Sequence, residues 1–285
     1  RDLNRLRVED ATIYTPDDAG GVAAVRLDQW RFAREQEFSN PRISGDGRIL
    51  TMLVQSSMPG CIVVIDLSTR TVKEITFADD VRPLRLALSR DGRRLAVVTG
   101  FQQARAPLAQ IFDTQSRALH CTIDPMPAEA YSLLLNADGS RFTAAFHGGP
   151  IGAWDVTGAA GRELAYKPHD FDTVDNLTAS DDETLLAAGP NDGVIRILDA
   201  ATLDVRLSLI GHGSEITDLR FVEDGKRLIS AGRNGEVRRW LLAQPSQNPM
   251  VLSGHAHLIH GLAIAEAGNF VATGSWDASV RMFDL

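Results

Sequence analysis

Residues Gly211–Leu241 read GHGSEITDLRFVEDGKRLISAGRNGEVRRWL. A Gly-His pair opens the stretch. Ile216, Leu219 and Phe221 then fall among polar residues, Asp224-Gly225 follows, a second apolar run starts at Leu228, and a third ends in Trp240. Apolar alternation interrupted by Asp-Gly is the signal of a β-hairpin, because Gly accepts the positive φ that a tight turn needs. Three such strands make one small sheet, which cannot bury both its faces by itself. The fold therefore turns on whether the chain repeats the unit.

It does, on two landmarks. Turns of the Asp-Gly kind fall at Gly47, Gly92, Gly139, Gly225 and Gly268, and Asp181-Asp182-Glu183 fills the one gap. An apolar or aromatic residue followed by Asp or Leu recurs at positions ending at 28, 66, 113, 155, 199, 241 and 284, in steps of 38, 47, 42, 44, 42 and 43 residues. Two separate landmarks keep one period and one phase. A period of about 40–45 residues carrying roughly four strand-like runs is the mark of a β-propeller.

The chain resembles the WD-repeat β-propeller family, and the resemblance covers essentially all of it. Gly-His stands at 211–212 and 254–255, Trp-Asp at 154–155, and Ser230-x-x-x-Asn234 and Thr273-x-x-x-Asp277 match the family's segment between the second and third strands. The resemblance implies an all-β fold: a seven-bladed propeller of about four-stranded antiparallel blades, forming a single domain over 1–285. Strands run a, b, c, d outward from a central channel, and each repeat supplies one blade's outer strand and the next blade's three inner strands. The first blade is read as Leu3–Val8, Ala11–Thr15 and Val22–Leu27, and the last as starting near Leu258 and ending at Asp284. That leaves one outer strand unsupplied, and an open sheet edge is a liability. The expectation is a closing strand upstream of Arg1; the alternative is that Arg1–Val8 itself closes the fold.

Composition narrows the function. The chain has 285 residues, 44% of them hydrophobic, with a net charge of −8. That charge argues against a general nucleic-acid surface, which needs a clustered basic field. No apolar run is long enough for a membrane helix, and the charged start RDLNRLRVED is unlike a signal peptide. A cytoplasmic location is expected, with Cys61 and Cys121 as buried reduced thiols. Abundant Ala and only three Lys hint at a bacterial source. No phosphate loop or dinucleotide fingerprint is present, and no cofactor is expected.

The chemistry-bearing residues have structural readings. The resemblance implies that His212, Ser230, Asn234 and Trp240 form a buried hydrogen-bonded relay, with His255, Thr273 and Asp277 its counterpart in the last repeat, where Phe283 replaces Trp. The fifth repeat keeps His169 and Asp192 but has Ala188 and Leu198, so its relay is largely lost. A hydrolase triad is disfavoured, because the Ser lies in a strand and no Gly-x-Ser-x-Gly elbow surrounds it. His255, His257 and His260 lack the neighbours that would complete a metal set. No catalytic residue and no metal site are assigned. Arg196, Arg238 and Arg281, each two residues before Leu198, Trp240 and Phe283 of the last three repeats, read as a repeated structural salt bridge or a solvated edge.

Partners of this family often dock on the loops joining b to c and d to a, around the channel mouth. Stepping back from each repeat ending gives one b–c loop residue per blade: Gly20, Met58, Arg105, His147, Asn191, Arg233 and Trp276. Trp, Met and Arg at one rim resemble interface hot spots. Thr99–Leu108 is a longer b–c connection and a candidate contact element. The leading function is thus a non-catalytic interaction scaffold or sensor domain of a larger multidomain protein, whose upstream part could be catalytic and could touch this domain. The partner is a protein or peptide, not nucleic acid or membrane. The alternatives are a lactonase- or hydrolase-like propeller enzyme and a stand-alone subunit of a stable complex.

Overall fold

A computed structural model describes residues 5–6, 12–16, 22–26, 38–54, 59–101, 106–223, 225–245, 247–265 and 270–285. They contain strands and turns and no helix. The strands are β1 (Arg5–Leu6), β2 (Thr12–Pro16), β3 (Val22–Arg26), β4 (Phe38–Ile43), β5 (Ile49–Val54), β6 (Cys61–Asp66), β7 (Thr71–Thr76), β8 (Val81–Leu88), β9 (Arg94–Phe101), β10 (Leu108–Asp113), β11 (Leu119–Ile123), β12 (Ala130–Leu135) and β13 (Arg141–Phe146). They continue as β14 (Ile151–Asp155), β15 (Arg162–Lys167), β16 (Val174–Ala179), β17 (Leu185–Pro190), β18 (Val194–Asp199), β19 (Val205–Ile210), β20 (Ile216–Val222), β21 (Arg227–Gly232), β22 (Val237–Leu241), β23 (Met250–Leu252), β24 (Ile259–Ile264), β25 (Phe270–Ser275) and β26 (Val280–Asp284). Sheets form in sequence order: β2-β3, β4 to β7 with β1 added beside β4, β8 to β11, β12 to β15, β16 to β19, β20 to β23, and β24 to β26. The strands of each regular sheet are called a to d below, in chain order.

Two compact units divide the chain. Unit 1 comprises Arg1–Glu129, Leu135–Phe142 and Trp154–Arg162; unit 2 comprises Ala130–Leu134, Thr143–Ala153 and Glu163–Leu285. Within unit 1 the third strand of the β4–β7 sheet is buried on both faces. Cys61, Val63 and Ile65 of β6 join Phe38 and Met52, while Ile62 and Val64 point the other way, onto Leu86, Leu95 and Val97 of the next sheet. A strand covered on both faces has no need of polar alternation, which is why β6 reads as an unbroken apolar run. Unit 2 repeats this packing. Ile195 and Ile197 lie against Ile216, Leu219, Leu228 and Trp240, and then Ile229, Ala231 and Val237 lie against Ile259, Leu262 and Val271. Each fully buried Ile or Leu contributes about 2 kcal/mol of transfer free energy. Cys61 and Cys121 are free and buried. Burial pushes the Cys61 thiol up to about 11, which keeps it unreactive.

Turn chemistry recurs with the period. At the a–b turns, Gly47, Gly92, Gly139 and Gly225 have φ between 72° and 80°. The carboxylates of Asp46, Asp91 and Asp182 each accept a 2.6 Å bond from the Ser two residues earlier and a bond from the backbone N–H two residues later. Where the sequence has no Gly, Glu183 takes the same left-handed backbone at φ 58°. A side chain there costs roughly 1 kcal/mol. Glu183→Gly is therefore expected to raise unfolding free energy by about 1 kcal/mol in urea titrations; a loss of stability would show that the Glu side chain contributes more than its backbone strain.

The Asp of the second landmark also has a turn role. Asp66, Asp113, Asp155 and Asp199 each end a third strand and accept backbone N–H bonds of 2.7–3.1 Å from the following turn. Hydrogen bonds from the Thr157 side chain and backbone hold the Asp155 carboxyl down at about 2.

Two departures from the sequence expectations concern strand placement. Arg5–Leu6 pairs with Ser39 and Phe38, at the edge of the β4–β7 sheet, instead of serving as strand a of the first blade. The inner edge of β4 offers unpaired backbone groups, and the short run satisfies them. The two strands expected after it are found within a residue of their predicted bounds, as the hairpin of Thr12–Pro16 with Val22–Arg26. The third-blade b–c connection is also shorter than Thr99–Leu108, because β9 runs to Phe101 and Thr99 pairs with Leu108.

Candidate interaction site

All four candidate loop residues that fall within the described chain lie in unit 2. His147, Asn191, Arg233 and Trp276 each open the b–c turn of successive sheets. Gly20, Met58 and Arg105 lie outside the described residues. The turns are anchored in one way. The backbone N–H of Asn191, Arg233 and Trp276 donates to the carbonyl of Thr173, Glu215 and Leu258 at 2.9–3.1 Å, just before strand a of the same sheet. Side chains follow the backbone. His147 packs on Tyr131 with ring centroids 5.8 Å apart, Arg233 pairs with Glu215 at 2.6 Å, and Trp276 packs on His260 at 5.7 Å. Trp276 is nevertheless 57% exposed. Tyr131 and Glu215 were not singled out from sequence, and His260 was weighed there only as a metal ligand. Their signal was available: Tyr131 and His260 occupy the second position of strand a in their sheets.

Behind this loop end lies the histidine relay. Trp240 Nε1 donates to Ser230 Oγ at 2.8 Å, and Ser230 Oγ lies 2.6 Å from His212 Nε2. The hydroxyl has one proton, and with the Trp N–H accepted that proton is left for Nε2. The ring proton then sits on Nδ1, which is buried and has no hydrogen-bond partner. Asn234 was expected to hold it and does not; its Oδ1 accepts the Glu236 N–H at 3.3 Å instead. Both Asn234 Oδ1 and His212 Nδ1 crowd the place of a Gly232 side chain, 2.7 and 2.8 Å from where a Cβ would stand. Burial, assisted by the Arg238 charge, pushes the His212 ring down to about 4.

The last sheet completes what this one lacks. His255 Nε2 lies 2.8 Å from Thr273 Oγ1, and Nδ1 lies 2.9 Å from Asp277 Oδ2. Hydrogen bonds from Ser279 and His255 hold the Asp277 carboxyl well below its usual range. In the fifth repeat, His169 stacks on Phe171 at 4.5 Å, and Arg196 lies over the same Phe ring while paired with Asp192 at 2.6 Å. Arg238 pairs with Glu236 at 2.7 Å, and Arg281 packs over Gly254. No three His, Cys, Asp or Glu side chains are grouped to hold a metal among the described residues.

A third repeating element was missed by sequence reasoning. Strand a of several sheets carries a bulge, with register breaks between Val174 and Asn176, Ile216 and Asp218, and Ile259 and Gly261. A polar residue of strand a, at the bulge in the case of Asn176 and Asp218, reaches the strand a that follows. Ser132 Oγ accepts the Leu177 N–H at 3.0 Å, Asn176 donates to the Ile216 carbonyl at 3.0 Å, and Asp218 accepts the Leu262 N–H at 3.0 Å. The same spacing of polar residues at 132, 176 and 218 was visible in the sequence.

Successive antiparallel sheets on one period, packed face to face within each unit, define a β-propeller. Residues 204–240 and 246–284, its last two repeats, match the family model described as WD domain, G-beta repeat. The fold is similar to that of a chain in a solved structure titled "Crystal Structure of Mitotic Checkpoint Complex". The TM-score is 0.75 at 17% identity, over 96% of this chain and 82% of that one. No curated protein sequence matches the chain.

Proposed function

We propose that the chain is a non-catalytic protein-interaction module whose b–c loop end in unit 2 binds a protein or peptide partner, as part of a larger protein. The observation that carries this reading is Trp276. A large aromatic held 57% exposed, on a turn pinned by a backbone bond and braced by His260, is costly to present to water and well suited to anchor a partner. Arg233 and His147 stand at the equivalent positions of their own sheets and extend the surface. The polar side chains behind the loops repeat with the structural period and bond one another, a pattern that supports scaffold duty over chemistry. The fold relative in a checkpoint complex is a member of an assembly by its title, which agrees with an interaction role.

The test is selection of binders from a random peptide-display library against the 285-residue chain. Peptides so selected are expected to lose at least tenfold affinity for Trp276→Ala, with an unchanged unfolding temperature, and to be unaffected by Arg93→Glu. Binders indifferent to Trp276→Ala would remove the function from this loop end.

A further inference from the structure

We propose that the opposite end of the sheets in unit 1, where the a–b and c–d turns lie, is a second docking surface that takes an acidic peptide segment of a protein partner. The protein is acidic as a whole, yet this end of unit 1 gathers cations. Arg48 and Arg93 each follow a turn Gly directly, Arg90 sits within its turn, Arg70 and Arg117 occupy the c–d turns, and Lys73 is the third residue of β7. In unit 2 the β16–β19 sheet reads Asp181-Asp182-Glu183 and Leu203 at the same two turn positions, while the β20–β23 sheet carries Lys226 after its turn Gly, so the cations vary from sheet to sheet and are not dictated by the repeat.

Geometry brings the cations together. The Gly45 N–H donates to the Arg90 carbonyl at 2.8 Å, and the Asp91 N–H donates to the Ala137 carbonyl at 3.0 Å, so successive a–b turns are bonded side by side. A cleft of about 280 Å³ lies between the first two of them, lined by Arg48, Lys73 and Arg93 together with Asp46, Asp66 and Asp91. The aspartates are occupied in capping their own turns. The arginines are weakly engaged by them: Arg48 reaches Asp46 only at 4.0 Å and Arg93 reaches Asp91 only at 3.8 Å, both through Nε. Their side chains are 59% and 82% exposed; Arg48 donates through Nη2 to Ser68 Oγ at 3.2 Å, and both guanidinium groups remain within reach of a carboxylate approaching from solvent.

The backbone adds an independent observation. Arg70 and Arg117 hold left-handed φ values of 58° and 65°, as does Leu203 at the equivalent turn with 62°. Leu203 is fully buried in the core, which compensates the strain. Arg70 and Arg117 are exposed and gain no such burial, so Gly would fold better at both places. Aspartates interleave with the arginines throughout, which breaks the continuous positive field that a nucleic-acid backbone or an anionic membrane requires. Discrete carboxylates spaced along a peptide fit the alternation.

The probe is a fluorescein-labelled 12-residue peptide of alternating Glu and Ser, followed by anisotropy against the full chain from 20 to 300 mM NaCl. Saturable binding that weakens with salt is expected. Arg48→Glu with Arg93→Glu should weaken it at least tenfold, and Trp276→Ala should leave it unchanged. Arg70→Gly with Arg117→Gly should weaken it about threefold while unfolding at no lower temperature, which separates lost contacts from a damaged fold. Absence of binding at 20 mM NaCl, or equal binding by the double reversal, would overturn the proposal. Tighter binding of a single-stranded oligonucleotide or of phosphatidylserine vesicles would overturn the peptide as occupant.

Discussion

Asp218→Ala is expected to lower the unfolding free energy by about 3 kcal/mol, the largest loss from any single polar truncation in unit 2. Asp218 is 8% exposed and sits at the strand-a bulge of the β20–β23 sheet. One carboxylate oxygen accepts the Leu219 N–H at 2.8 Å and pairs with Arg220, and the other accepts the Leu262 N–H of the next sheet at 3.0 Å. Ala would strand buried N–H groups, each costing roughly 1–3 kcal/mol, and would cut the polar tie between two sheets. Asn keeps one acceptor and should cost about half as much. Equilibrium urea titration is the measurement, with midpoint and slope fitted separately. A loss under 1 kcal/mol for Ala would mean that the sheets are held together by the Ile229, Val237, Ile259 and Leu262 contacts alone.

That bulge marks the limit of what the sequence disclosed. The all-β class and the sheet period were legible because two local signals survive without neighbours. Asp-Gly turns need a positive φ, and the strand-ending Asp must cap its own turn, so both landmarks are enforced within about five residues. Glu183 shows the same rule from the other side: the period placed a turn where no Gly stood, and the backbone takes the left-handed conformation there regardless. The histidine relay was legible as a list of residues and misleading as geometry. Asn234 has the right spacing from Ser230, yet its amide turns to the Glu236 backbone, a choice of rotamer that spacing cannot fix. The pairing of Trp276 with His260 and the tie from Asp218 to Leu262 depend on residues 16 and 44 apart, brought together only by sheet register. Arg5–Leu6 went to the edge of β4 for a similar reason, since pairing there is decided by which edge is open.

The orphaned His212 nitrogen gives the protein an acid sensitivity with a defined window. The unfolded ring titrates near 6.5, and in the folded chain it is held down at about 4. Above pH 6.5 both states are neutral and the group contributes no pH dependence. Between about 6.5 and 4 the unfolded chain binds a proton that the folded chain refuses, so stability falls as pH falls, by about 3 kcal/mol across the window. His169, also pushed down by burial, adds loss of the same sign. The turn-capping aspartates such as Asp46 and Asp113 have lowered values, so their contribution is present above about pH 4 and is lost only below it. The two classes of group therefore separate on the pH axis. Asn234→Asp places a carboxylate where Asp277 serves His255. It is expected to raise stability at pH 7 by about 1–2 kcal/mol, by engaging the Nδ1 proton, and to flatten the decline between pH 6.5 and 4, because an imidazolium then has a counter-charge. His212→Gln should also flatten the decline but start from lower stability, having lost the bond to Ser230. Urea midpoints measured at half-unit steps from pH 7.5 to 4 decide the matter. An Asn234→Asp profile that keeps the parent's slope would show that the decline arises elsewhere and that His212 is not the group that titrates.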